Sequence, residues 1–219
     1  LNVTYRENVD YTVDGQGYIA LTENSSCPFL KRENLVYATR PQGVEGLYEF
    51  PSSSSATPDL MYTETSYLVE KQLCVTYEYD KSDFSKEVVS VANEEKLPAL
   101  RALLSKRARI RMAVLGDSIS EGANSSGKLN IAPFQPTYSS LLRQYMEKTF
   151  GSDIVFENFS LGGMASEWGA SRAYGVGQFM PDIVVLSFGA NDGGTGKDNG
   201  VTPVSVRQFT ANIRAAMEN

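Results

Sequence analysis

The stretch that decides the fold is Met112-Ala113-Val114-Leu115-Gly116-Asp117-Ser118-Ile119-Ser120-Glu121-Gly122. Its apolar first half predicts a buried strand, and the Gly-Asp-Ser sequence that follows predicts an abrupt turn. Open α/β sheets bind their ligands at the carboxyl ends of the strands, and this turn places Ser118 there. The sequence therefore makes Ser118 the first candidate for a nucleophile.

The composition excludes several classes of partner. The 219 residues include 20 basic and 26 acidic side chains, for a net charge of −6. Such a surface repels nucleic acid phosphates and anionic membranes, so we expect neither as a partner. Two cysteines, Cys27 and Cys74, allow one disulfide or two free thiols. The chain begins with Leu1, which we interpret as a processed or trimmed start.

Residues 1–92 have the pattern of an all-β domain. Short alternating segments separated by turn-forming clusters predict strands at Asn2–Arg6, Tyr18–Thr22, Leu35–Thr39, Leu47–Phe50 and Leu73–Tyr79. Several short strands of this kind predict a β-sandwich or jelly roll.

The pattern then changes twice. A helix start at Asn93-Glu94-Glu95, followed by leucines at helical spacing, predicts a helical linker over residues 93–109. From Ile110 to Asn219 strands and helices alternate, which predicts a doubly wound parallel sheet. We expect its strands at residues 110–115, 153–157 and 181–188, the last buried on both faces. A sheet usually has about five or six strands, so the three strands expected here indicate an incomplete sheet.

A loop rich in Gly, Asn and Ser follows each of these three strands. The loops are Gly116–Ser120, Asn158–Met164 and Gly189–Gly194, and parallel strands bring all three to one edge of the sheet. Acyl transfer by Ser118 would need fixed hydrogen-bond donors around the developing oxyanion. Gly163 offers an unobstructed backbone N–H and Asn191 an uncharged side-chain N–H, although both residue types also serve as ordinary turn residues.

In these loops the chain resembles the SGNH hydrolases, the GDSL-type lipases and esterases. Three motifs carry the resemblance: Gly116-Asp117-Ser118, Asn158-x-Ser160-x-x-Gly163 and Gly189-Ala190-Asn191-Asp192. The resemblance implies a flavodoxin-like fold with Ser118 as the catalytic nucleophile. It also implies an oxyanion hole formed by the N–H groups of Ser118 and Gly163 and the side chain of Asn191. It implies no metal and no organic cofactor.

The fourth motif of that family, Asp-x-x-His, has no match, and the chain contains no histidine. We therefore expect the chain to continue past Asn219 with this motif. The alternative is a relic that has lost its activity. Residues 1–219 alone should be a very poor catalyst, because nothing obvious removes the proton of Ser118.

A β-domain joined to a Gly-Asp-Ser domain is similar to the two-domain bacterial carbohydrate esterases. This similarity implies a secreted or periplasmic serine esterase that removes acetyl groups from a small-molecule or polysaccharide ester. Trp168 and the tyrosines could stack on sugar rings, although a core role suits Trp168 better. The alternative function is a non-catalytic carbohydrate-binding module. The sequence leaves open the sugar, the acyl group and the oligomeric state.

Overall fold

The computed structural model describes residues 3–37, 47–50, 59–73, 75–80, 82, 96–193 and 203–218. The chain forms two compact units. The first comprises Leu1–Phe84 and Asn124–Gln135, and the second comprises Ser85–Ala123 and Pro136–Asn219. The predicted boundary between residues 92 and 93 lies outside the described residues.

In its described residues, the first unit has two small antiparallel sheets and two single-turn helices. One sheet pairs β1 with β2, and the other has the strand order β3-β5-β4. The elements are β1 (Tyr11–Val13), β2 (Ile19–Leu21), α1 (Arg32–Leu35), β3 (Val36–Tyr37), β4 (Leu47–Phe50), β5 (Asp59–Thr63) and α2 (Ser66–Val69). These sheets agree with an antiparallel β-region, but the sandwich or jelly roll stays a prediction.

The turn between β1 and β2 follows directly from the sequence. The Asp14 carboxylate accepts hydrogen bonds from the backbone N–H groups of Gln16 (2.8 Å) and Tyr18 (2.9 Å). Gly17 takes a φ of +85°, which glycine adopts without a steric penalty. Aspartate and glycine therefore close this hairpin as their turn propensities predict.

Two of the predicted strands in the first unit are wrong. Residues 3–6 are not in a strand, and neither are Leu73 and residues 75–79. The alternate side chains Leu73, Val75, Tyr77 and Tyr79, which would share one face of a strand, are 43 to 71% exposed. Alternation describes a half-buried strand only where a partner strand and a covering layer exist. Within the described residues, this segment pairs with no strand.

The second unit is an α/β sheet, as predicted. The three parallel strands that the structure describes here have the order β7-β6-β8, with β6 in the middle. The elements are α3 (Pro98–Ser105), β6 (Ile110–Gly116), α4 (Ser118–Glu121), α5 (Tyr138–Phe150), β7 (Ile154–Asn158), α6 (Ser166–Gly177), β8 (Ile183–Ser187) and α7 (Val206–Glu218). The predicted helix start at residues 93–95 lies outside the described residues.

Strand β6 forms the centre of two hydrophobic clusters. Alternate residues of a strand point to opposite faces of the sheet, so an apolar run supplies both layers. On one face Met112 and Val114 belong to a cluster with Leu104 of α3 and Met146 of α5. On the other face the cluster contains Ala113, Leu115 and Val176 of α6.

The edge strand β8 corrects one prediction. Its side chains were expected to be buried on both faces, but Val184 is 39% exposed and most others are half-buried. In the described residues β8 pairs with β6 alone, so an apolar sequence does not guarantee burial at a sheet edge.

Two glycines of α6 give a matched test of how this helix packs. A Cβ at Gly169 would overlap the Phe188 ring, whereas a Cβ at Gly175 would meet nothing within 4 Å. We expect Gly169→Ala to lower the free energy of unfolding by about 1–3 kcal/mol through overpacking. Gly175→Ala should raise it by up to about 1 kcal/mol, because alanine favours the helix. Chemical denaturation measures both, and equal effects would contradict this packing.

Candidate active site

The sheet topology brings the three sequence motifs to one edge. Ser118 follows the middle strand β6, Gly163 follows β7 and Asn191 follows β8. The register pairs Val114 with Asn158 and Gly116 with Ser187, so all three strands run toward this edge. The strands that follow β6 in the chain lie on its two opposite sides, which is the switch point where open α/β sheets bind ligands.

The turn that carries Ser118 is held by its neighbour Asp117. The Asp117 carboxylate caps α4 by accepting a hydrogen bond from the Ile119 N–H at 3.0 Å. Asp117 is only 2% exposed. This burial agrees with a role in holding the turn and keeps the carboxylate occupied with the helix N-terminus.

Gly116 permits the close approach of β6 and β8 just before this turn. A Cβ at this position would lie 2.6 Å from the Ser187 carbonyl oxygen and 2.5 Å from Ser120 Oγ. The Ser120 hydroxyl is fully buried and forms a 2.7 Å hydrogen bond with the Tyr138 hydroxyl. The glycine of the Gly-Asp-Ser motif is therefore a packing requirement of the strand end.

The second loop folds back onto the nucleophile turn. Asn158 Nδ2 donates to the Ser120 carbonyl at 2.8 Å, and Asn158 Oδ1 accepts from the Ser160 N–H at 3.1 Å. The Leu161 N–H donates to the Gly116 carbonyl at 3.1 Å. Asn158 and Ser160 therefore tie the loop in place.

The two adjacent glycines of this loop differ in what their N–H groups do. The Gly162 N–H donates to Glu121 Oε2 at 2.6 Å, and a Cβ at Gly162 would lie 3.6 Å from Ser118 Cβ. Gly163 has a φ of +77°, and within the described part of the chain its N–H has no hydrogen-bond partner. Gly162 thus lies against Ser118 with its donor occupied, while Gly163 keeps its donor available.

The Asn191 side chain joins the third loop to the second. Its Nδ2 donates to the Met164 carbonyl at 2.9 Å. A carboxamide nitrogen carries two hydrogens, so a second N–H remains for a ligand. The structure leaves the predicted donor role of Asn191 geometrically open, and that role stays a prediction.

A buried polar network next to Asn191 was not predicted from the sequence. The Asp192 carboxylate accepts hydrogen bonds from the N–H and the hydroxyl of Ser166, and Asn212 Nδ2 donates to Ser166 Oγ at 2.9 Å. All three residues are at most 7% exposed. The available signals were an aspartate directly after Asn191 and a polar residue, Asn212, amid the apolar positions of the last helix.

Trp168 is half-buried and packs against the hydrophobic cluster around Leu115. Its ring meets Phe188 edge-on at a centroid distance of 6.5 Å, and both rings pack against the cluster around Leu115. The Arg172 guanidinium lies 5.6 Å from the centre of the Trp168 ring. These contacts favour the core interpretation over a sugar-stacking platform.

No general base accompanies Ser118 in the described residues. The Ser118 hydroxyl has no hydrogen-bond partner among them, and the whole chain of 219 residues contains no histidine. The described side chains also include no group of three or more His, Cys, Asp or Glu residues that could hold a metal ion. None of the described helices is long and apolar enough to cross a membrane.

Several known structures are similar to this chain, and three of them are compared with it. A two-domain esterase (CEX) active on acetylated mannans is 26% identical, with 43% of this chain and 24% of that chain covered and a TM-score of 0.38. TesA is 25% identical, and the similarity covers 49% of this chain and 52% of TesA with a TM-score of 0.38. The psychrotrophic esterase EstA from Pseudoalteromonas sp. is 25% identical, and the similarity covers 49% of this chain and 51% of EstA with a TM-score of 0.36.

The chain thus spans 24% to 52% of the length of these three proteins. No curated protein matches it. Residues 114–219 match the family model of the GDSL-like lipases/acylhydrolases. The match begins within β6 and includes all three loops at the sheet edge. Over residues 114–219 the chain is therefore similar to the GDSL-like lipases/acylhydrolases.

Proposed function

We propose that this protein is a serine hydrolase of carboxylic esters. The observation that carries the proposal is the meeting of three motifs at one sheet edge. The middle strand carries Ser118, and the two flanking strands carry an available Gly163 N–H and a half-satisfied Asn191 carboxamide. A nucleophile between two uncharged donors is the arrangement that acyl transfer requires.

In the proposed reaction Ser118 Oγ attacks the ester carbonyl carbon and loses its proton to a base. The carbonyl oxygen becomes an oxyanion, which accepts hydrogen bonds from the N–H groups of Ser118 and Gly163 and from Asn191 Nδ2. Collapse of this intermediate breaks the ester bond, and the leaving alkoxide takes up the proton. Water then attacks the acyl-serine; one of its hydrogens passes to Ser118 Oγ as the acyl bond breaks, and the carboxylic acid that leaves releases its proton to water. Residues 1–219 contain no histidine, and we assign the base to none of them.

We propose an acetylated carbohydrate as the substrate. The site is open on the side of Gly163, which is exposed, and the neighbouring Leu161 side chain is 46% exposed, while Asn191 is half-buried. An open site of this kind suits a short acyl group on a bulky polar alcohol better than a long acyl chain. The net charge of −6 also favours an uncharged substrate over an anionic one.

The experiment measures how fast the full-length gene product hydrolyses three different esters. We expect acetate release from acetylated mannan, and turnover of p-nitrophenyl acetate that exceeds that of p-nitrophenyl decanoate. Acetylated mannan is chosen because the CEX esterase is active on it. Preferred hydrolysis of the decanoate would overturn the carbohydrate substrate. Binding to mannan with no turnover of any ester would overturn the enzyme and favour a binding module.

A further inference from the structure

We propose that Asp192 is a positioning residue that fixes both donor loops of the oxyanion hole. The inference rests on the proposed function, because it concerns the donors Gly163 and Asn191 of that site. Asp192 is buried and its carboxylate is bonded to Ser166, so it would act through the loops that carry Gly163 and Asn191.

The first argument is the way in which helix α6 begins. The residue that precedes its first turn is Ala165, whose methyl group makes no capping hydrogen bond. The backbone N–H of Ser166 instead donates to both oxygens of Asp192, at 3.1 Å each. A carboxylate 26 residues away thus replaces the local cap, and the positive end of the helix dipole stabilises its charge.

The second argument is where this bond lies in the chain. Ser166 comes three residues after Gly163, and Asp192 comes directly after Asn191. The hydrogen bonds between Asp192 and Ser166 therefore connect the loop that carries Gly163 to the loop that carries Asn191. The Asn191–Met164 hydrogen bond joins the same two loops one step closer to the site.

The third argument is burial. Asp192 is 4% exposed, and removing a carboxylate from water is costly unless hydrogen bonds compensate the loss. The Ser166 hydroxyl donates to Asp192 Oδ1 at 2.5 Å, and Asn212 of α7 donates to that hydroxyl in turn. Gln208 Nε2 donates to Asn212 Oδ1 at 2.9 Å. These successive hydrogen bonds fix the orientation of the Asp192 carboxylate. Because Asn191 is the preceding residue, they also restrain its backbone.

The kinetic test is a double-mutant cycle in the full-length gene product. We expect Asp192→Ala to lower kcat about 100-fold with little change in KM, since a misplacement near 1 Å can cost that much. Asp192→Asn keeps an acceptor for Ser166 and should recover part of the loss. In an Asn191→Ala background, Asp192→Ala should lower kcat by clearly less than about 100-fold, because one of the two donors that it positions is already gone.

Thermal denaturation of each variant separates positioning from general instability. Assays run well below each midpoint should retain the loss in kcat. The inference would be overturned if the kcat losses of Asp192→Ala and Asn191→Ala were independent of each other in the double variant. It would also be overturned if the loss in kcat disappeared under conditions in which the variants are fully folded. A rise in KM with unchanged kcat would also overturn it.

A readout without substrate separates this inference from the proposed function. In ¹⁵N NMR spectra the Asn191 side-chain amide should give one sharp pair of resonances in the parent protein and broadened or shifted ones in Asp192→Ala. An unchanged pair would overturn the positioning role whether or not the protein hydrolyses esters. Absence of Ser118-dependent turnover, together with a changed pair, would overturn the proposed function and leave the positioning intact.

Discussion

Ser118→Ala is expected to reduce ester turnover of the full-length gene product by about 10⁶-fold in kcat, the loss that follows removal of a serine nucleophile. The alanine variant keeps the turn, because Asp117 caps α4 through the backbone N–H of Ile119 and not through the Ser118 side chain. The folded structure should therefore survive while no acyl-serine can form. Release of p-nitrophenol from p-nitrophenyl acetate measures the change.

Ser105→Ala is the matched control for this substitution. Ser105 lies in α3, where its exposed hydroxyl donates to the Ala102 carbonyl. Its replacement should leave kcat within about 2-fold, since surface changes of this type alter stability by only a few tenths of a kcal/mol. Turnover that persists undiminished in Ser118→Ala would exclude Ser118 as the nucleophile.

The sequence predicted the part of the fold that surrounds Ser118 because several local signals agreed there. The apolar run forms β6, and the Gly-Asp-Ser turn places Ser118 directly after that strand, as predicted. Each signal acts within a few residues, and long-range packing reinforces it. The meeting of the three loops then followed from the parallel direction of the strands alone.

The first unit was harder to predict because its strands are short and alternation carries little information there. The predicted segments at Tyr18–Thr22 and Leu47–Phe50 contain strands, whereas Leu73–Tyr79 shows none in its described residues. Strands β1 and β5 were missed. A strand of three to five residues depends on its pairing partner, and sequence periodicity does not identify that partner.

The buried network of Asp192 was missed for a different reason, although this residue belongs to the motif Gly189-Ala190-Asn191-Asp192. Beside Asn191 and two glycines it has the composition of an ordinary turn. Its function in the structure depends on Ser166 and Asn212, which are 26 and 20 positions away in the chain. A missing local cap, such as Ala165 at the start of α6, is the sequence signal that could have prompted a search for a distant carboxylate.

The second large effect is expected from Asn191→Ala, which should lower kcat of the full-length gene product by about 100- to 1000-fold. Loss of one oxyanion donor raises the energy of the transition state more than that of the bound ester, so KM should change little. The lost Met164 contact is a neutral, half-buried hydrogen bond, and its removal should lower the free energy of unfolding by only about 1 kcal/mol. Gly175→Ala, on the exposed side of α6, should leave kcat unchanged and serves as the control. If Asn191→Ala changes stability but not kcat, Asn191 is only a turn residue and the oxyanion hole must be built from other donors.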